Sequence, residues 1–292
     1  MHTRSEVKFQ KLKLIWIKLF QQVSIFLFFI SCQTYAESKL NLVVDLNQSS
    51  SGYSSSVGNF AEFNGKLYFS GSDGEHGTEL WQFDGSNYQM VADISVGSNS
   101  DSYPSYLTVL DGKLYFAAEE ANGDVELWAY DGESSPVKID IWVGASSSNP
   151  INLIGYNNKL YFLANDGVNG QELWSYDPAI QSASMVADIN PGSAASEFKH
   201  PVILNNILYF QSYTSANGRE LWQYDGVNTP SVAYEGRTGT NSGYPQHLTV
   251  FQNKLYFSAN DESGDEELWS YDGNVAARVA EINPSDYGAP RE

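Results

Sequence analysis

Five glutamates, Glu79, Glu126, Glu172, Glu220 and Glu267, each stand two residues before a tryptophan, at Trp81, Trp128, Trp174, Trp222 and Trp269. A carboxyl group desolvated beside an indole rises in pKa and can then act as a general acid or base. The tryptophans recur at steps of 47, 46, 48 and 47 residues, however, and an active site needs different groups converging on one point. Five copies of one carboxylate at one period are better explained as acceptors for buried donors. Lys66, Lys113, Lys159 and Lys254 offer themselves as ion-pair partners, but Ile207 takes that place in the fourth copy while Glu220 stays. Lysine is therefore not the obligatory partner.

The loops ahead of these glutamates hold a second kind of chemistry. Asp73, Asp124, Asp166 and Asp261 lie there among glycines and further acidic or amide residues, a hard-oxygen set that suits calcium. The spacing matches no EF-hand loop, and Asp, Asn and Gly are also what tight turns require. Calcium is thus the one cofactor the sequence admits, and ordinary turns are the competing account. The same loops lack the Ser or Thr and the aromatic residue of a sialidase-type Asp-box. His76, His200 and His247 fall one each in three units with no metal-ligand spacing, which reads as surface histidines. No nucleophile elbow, phosphate loop or HExxH motif is present, so catalytic residues are expected to be none.

The elements that position these residues follow from the repeat itself. Leu-Tyr-Phe recurs at Leu67, Leu114, Leu160, Leu208 and Leu255, always 13 residues before the leucine of Glu-Leu-Trp. A third theme, an acidic residue in a Val-Asp-Ile context, recurs at Asp45, Asp93, Asp140, Asp188, Glu235 and Glu281. One unit reads as four strands, over 106–110, 113–118, 125–130 and 137–141, with Asp111-Gly112 and Asp131-Gly132 as hairpin turns. No segment after the leader keeps a helical period, which predicts an all-β chain. Four strands in about 47 residues match a propeller blade, so the expectation is a β-propeller of five four-stranded blades, about 46–93, 94–140, 141–188, 189–235 and 236–282, with a short tail. The alternative is a piece of a longer propeller with six or more blades, because the last-strand theme occurs six times, counting 40–46, and Pro290 matches the prolines that open units at Pro104, Pro150, Pro201 and Pro245. In Glu-Leu-Trp-x-Tyr, strand geometry puts Glu, Trp and the aromatic on one face and Leu on the other, as a blade packed on both faces demands.

At Glu79-Leu80-Trp81 with Asp84-Gly85, at Glu172-Leu173-Trp174 with Asp177, and at Asp188-Ile189-Asn190-Pro191-Gly192, the chain resembles the bacterial ELWxxDGT repeat family, also called hyalin-like. The resemblance spans the chain after its leader and implies an exported, propeller-like protein, with no settled activity. The family's final Thr is replaced by Ser86, Glu133, Ala179, Val227 and Asn274, and Pro178 replaces one Gly.

Residues 1–36 read as a signal peptide: Arg4, Lys8, Lys11, Lys13 and Lys18 precede an apolar run over 23–30, and Tyr35-Ala36 precede the expected cut. The run is shorter than the roughly 20 residues of a membrane span. Cys32, the single cysteine, supports a lipoprotein alternative; otherwise it is discarded and the remaining chain, 37–292, has no disulfide. The leader carries five of the 16 Lys+Arg and one of the 35 Asp+Glu, leaving a net charge of −23. That charge repels nucleic acid and anionic lipid. The reading is an exported, non-catalytic binding or adhesion protein, secreted, periplasmic or at the cell surface, whose partner is a glycan or a surface protein bound multivalently. A hydrolase or lyase at the channel mouth is the contrasting class, to be sought in residues that break the repeat such as Trp142, Lys199-His200 and Glu235-Gly236-Arg237. A structural module of a surface assembly is the third.

Overall fold

A computed structural model describes residues 42, 43, 45–47 and 54–280 of the chain. The expected signal peptide over 1–36 with its expected cut, Cys32, Glu281 and Pro290 lie outside the described residues. Contacts divide the chain into 1–43 and 44–292, and the second unit carries the sheets.

Twenty strands form five antiparallel four-stranded sheets, each a simple meander in chain order, and together they make a β-propeller. The first blade comprises β1 (Gly58–Phe63), β2 (Lys66–Ser72), β3 (Thr78–Phe83) and β4 (Tyr88–Ala92). The second comprises β5 (Ser105–Leu110), β6 (Lys113–Glu119), β7 (Val125–Tyr130) and β8 (Val137–Ile139). The third comprises β9 (Ile151–Tyr156), β10 (Lys159–Asn165), β11 (Gln171–Asp177) and β12 (Ser182–Ala187). The fourth comprises β13 (Lys199–Leu204), β14 (Ile207–Thr214), β15 (Gly218–Tyr224) and β16 (Ser231–Tyr234), and the fifth β17 (Gln246–Phe251), β18 (Lys254–Asn260), β19 (Glu266–Tyr271) and β20 (Ala276–Ala280). Strands β1, β5, β9, β13 and β17 are the inner strands, and successive ones pack on each other.

The two hairpin types close differently. The first turn of each blade (Asn64-Gly65, Asp111-Gly112, Asn157-Asn158, Asn205-Asn206, Gln252-Asn253) has both residues at positive φ, the geometry that matches strand twist. At the later turn Asp131 has no such angle; its carboxylate caps the loop instead, accepting the Glu133 N–H at 2.9 Å and the Ser134 N–H at 2.7 Å. Asp84, Asp225 and Asp272 cap their turns in the same way. The capping aspartate recurs for that reason, whereas the residue two positions on only offers its backbone and is free to vary.

Blades meet through two unlike faces. Phe63, Tyr68 and Leu80 of the first blade pack against Leu114, Phe116, Trp128 and Tyr130 of the second, and the later interfaces repeat this set. Each interface contains a tyrosine pair, Tyr68–Tyr130, Tyr115–Tyr176, Tyr161–Tyr224 and Tyr209–Tyr271, with ring centroids 5.7 to 5.8 Å apart. The two end faces differ. Leu67 is 38% exposed where Leu114, Leu160, Leu208 and Leu255 are fully buried, and Phe251 is 57% exposed where Phe63, Tyr156 and Leu204 are buried. Among the described residues the two end faces do not form a fifth interface of this kind. Instead Leu46 packs on Phe69 and Trp81, and the Asn47 side chain lies against Gly74. Those residues follow Asp45 as Ile94 and Ser95 follow Asp93, so this segment does for the first blade what each blade's exit does for the next. Pro201 does not open its unit: it is the third residue of β13, and buried Phe198 takes the place that Pro104, Pro150 and Pro245 hold elsewhere.

Candidate functional site

The repeated glutamates are buried at every blade, and the first four staple the linker to the next blade. Glu79 accepts the Ile94 N–H (2.9 Å), the Ser95 N–H (3.4 Å) and the Ser102 hydroxyl (2.6 Å). Glu126 accepts the Ile141 N–H (3.0 Å), the Ser148 N–H (2.8 Å) and the Ser148 hydroxyl (2.5 Å). Glu172 takes the N–H groups of Ile189, Asn190 and Ser196. Glu220 has only the Gly236 N–H (2.7 Å) and the Gly243 N–H (2.8 Å) among its bonds shorter than 3 Å, and no hydroxyl. Burial raises the carboxyls of Glu79, Glu126 and Glu172 above the ordinary range, and pushes Glu220 up to about 7 with the charge of Glu235 adding to it. Two of the hairpin lysines are engaged elsewhere: Lys66 donates to Gln82 and Lys159 pairs with Asp177.

The staple has a consequence for the surface. Ser102, Ser148, Ser196 and Gly243 are held inside on a glutamate, and Pro104, Pro150, Phe198 and Pro245 are buried two residues later. The residues between them, Tyr103, Asn149, Glu197 and Tyr244, come at the same place on each blade; Tyr103, Asn149 and Tyr244 have left-handed backbone and are exposed. Clefts adjoin this rim. One of about 890 Å³ is lined by Ser56, Asn59, Asn99, Asp101 and Tyr103, one of about 210 Å³ by Tyr103, Tyr106, Glu119 and Asn149, and one of about 360 Å³ by Asn152, Gln171, Glu197, Lys199, Tyr213 and Arg219.

The second residue of every inner strand, Asn59, Tyr106, Asn152, His200 and His247, also has positive φ, and the ladder shifts register there. These are bulges that re-aim a side chain. The structure corrects the reading of His200 and His247 as unrelated surface groups: their rings lie 5.3 Å apart on neighbouring inner strands. Burial, then the nearby His247 and Lys199, holds His200 below the usual histidine range.

The four loop aspartates are not brought together. Asp73 accepts from the Glu75 and His76 backbones and from the His76 ring at 2.8 Å, and these bonds outweigh burial and keep its carboxyl low. Asp166 caps Val168 and Asn169, and Asp261 caps Ser263 and Asp265. Asp124 is fully buried and pairs with Lys138 at 3.0 Å. Among the described residues no group of three His, Cys, Asp or Glu side chains could hold a metal ion.

Sequence reasoning flagged Lys199-His200 as a break in the repeat but missed its partner. Arg219 stands where Thr78, Val125 and Gln171 stand in earlier blades. Its guanidinium donates from Nε to Glu197 Oε1 at 2.9 Å, lies 2.8 Å from it at Nη2, and faces the rings of Tyr213 and Tyr244 at 5.1 and 5.4 Å. Glu197 Oε2 takes the Gln211 amide at 2.7 Å and lies 3.3 Å from Lys199 Nζ. The Arg219 bond and the two cations keep the Glu197 carboxyl below its ordinary range despite burial. A basic residue replacing Thr, Val or Gln at one repeat position is the signal that could have found it.

No family model and no curated protein matches the chain. Among solved structures it is similar to a puromycin hydrolase, at 15% identity and a TM-score of 0.51, over 80% of this chain and 40% of that one. It is also similar to a puromycin-hydrolyzing peptidase of Mycobacterium tuberculosis, at 9% identity and a TM-score of 0.53, over 77% of this chain and 38% of that one. The chain thus spans about two fifths of the length of these proteins, and at such identities the likeness is one of fold.

Proposed function

We propose that this is an exported binding protein that uses the rim of its propeller to hold saccharides through several repeated, individually weak sites. One observation carries the reading: at the same place on successive blades a buried glutamate pins the linker so that Tyr103, Asn149 and Glu197 stand beside polar clefts, with Tyr244 at the same place on the linker after the fourth blade. Aromatic faces next to hydroxyl and amide groups match the alternation of apolar and hydroxyl surface on a sugar, and repetition adds avidity. The contrasting reading, a hydrolase or lyase at the channel mouth, would rest on His200 and His247. Neither ring has a hydrogen-bonded carboxylate or hydroxyl partner among the described residues, which an acid–base pair or an activated nucleophile needs.

The test is a glycan array probed with the purified protein in calcium and in chelator. Saturable binding to a saccharide class in both buffers is the expected result, with Tyr103→Ala weakening it severalfold. A strict calcium requirement would move the site to the loop aspartates, and a folded protein that binds nothing on the array would leave a surface protein or a scaffold role.

A further inference from the structure

The rim sites are not chemically equal, and the one between the third and fourth blades is built for negative charge. Glu197, Lys199 and Arg219 bring two permanent cations to one carboxylate, on a chain whose net charge is −19. At Lys138 the ratio is the reverse, one cation shared by Glu120 and Asp124. Glu197 is only 15% exposed and bonds Arg219 through Nε and Nη2, whereas Lys199 is 50% exposed. Glu197 therefore fixes the guanidinium between Tyr213 and Tyr244, while both cations it holds keep solvent-facing surface, 32% at Arg219 and 50% at Lys199, on which a ligand can pair. The adjoining cleft, about 360 Å³, is lined by Gln171, by Tyr213 and by Asn152, whose Nδ2 is held on the Phe198 carbonyl at 2.6 Å, and has room for a single sugar ring rather than a folded partner.

We propose that this site binds an acidic saccharide, with the carboxylate of a uronate residue on Lys199 and Arg219 and its ring in the cleft. The inference rests on the saccharide-binding reading and narrows it to one blade interface and one charge class. A fixed guanidinium and a lysine match a planar carboxylate, and in a strongly acidic protein such a pair also decides which anionic ligand can approach at all.

The experiment is titration calorimetry of the whole protein with trigalacturonate, its trimethyl ester and hexaglutamate, at low and at high salt. Saturable binding of the uronate, loss with the ester, and weakening by salt are expected. Lys199→Gln, at a half-exposed position, should weaken uronate binding about tenfold with unchanged melting. Arg219→Lys, which keeps the charge and removes the fork, should weaken it severalfold. Lys113→Gln, which removes the same charge from the second blade, should leave it as it was. Ester bound as tightly as uronate, or no effect of Lys199→Gln, would overturn the acidic-sugar site and leave neutral saccharide binding standing. Hexaglutamate bound as tightly as uronate would overturn it in favour of an acidic protein partner. Silence toward every saccharide, here and on the array, would remove both readings.

Discussion

The linker after the second blade and the linker after the fourth use the same glutamate under different conditions. Glu126 accepts two backbone N–H groups and the Ser148 hydroxyl, so its buried charge is well solvated by fixed dipoles. Glu220 has Gly236 and Gly243 where Glu126 has Ile141 and Ser148, and Glu235 lies nearby. Each also has a carboxylate nearby, Asp124 for Glu126 and Glu235 for Glu220, so the hydroxyl donor is what separates the cheaper buried charge from the costlier one. The rim follows the same division: the fourth blade, with the less satisfied staple, also carries the Arg219 cluster.

The largest effect should come from breaking the well-satisfied staple. Glu126→Ala strands two buried N–H groups and a hydroxyl, and about 3–5 kcal/mol should be lost in urea unfolding. Glu220→Ala removes fewer bonds and an ill-solvated charge, and should cost clearly less at pH 8; equal losses would erase the contrast.

Titration sharpens it next. A glutamate whose folded pKa lies above its unfolded value contributes stability that is fully present below the unfolded value and is lost as pH rises through the folded one. For Glu220 that window runs from about pH 4.5 to about 7. Wild-type stability, compared with Glu220→Gln, should therefore fall by roughly 2 kcal/mol between pH 5 and 8. Parallel pH profiles for the two proteins would show that Glu220 is solvated as well as Glu126.

The remaining effect is of similar size and is the least intuitive. Gly243→Ser looks like a repair that returns the missing hydroxyl, but a Cβ there would lie 2.7 Å from Glu220 Oε2 and 3.1 Å from the Gly236 Cα. The substitution should destabilise by about 1–3 kcal/mol in thermal melts, as overpacking does. A gain in stability would mean that the fourth linker has room to become like the second.

Much of the fold was legible because a blade is local. The strand pattern, both turns and the alternation of Leu against Trp are fixed within one unit of about 47 residues, where pairing and pleat follow chain order. The constant, buried place of the glutamates was legible too, since five equal copies follow the period of the blade. Pro201 misled because matching by residue type ignored spacing: Pro104, Pro150, Phe198 and Pro245 stand 10 residues before the leucine of Leu-Tyr-Phe, and Pro201 stands 7 before it.

What the sequence determined by itself, then, is the blade: four strands, their turns, and a buried carboxylate at a constant place. What only the tertiary structure decided is which residues of different blades meet. The contact of His200 with His247 joins two blades, while the seat of Leu46 on Phe69 and Trp81 and the placing of Tyr244 over Arg219 set a linker against a sheet. Such contacts depend on how neighbouring blades are set against one another, and no spacing along the chain encodes that angle. The repeat therefore announces the scaffold, while the departures from it acquire chemical meaning only when the blades are side by side.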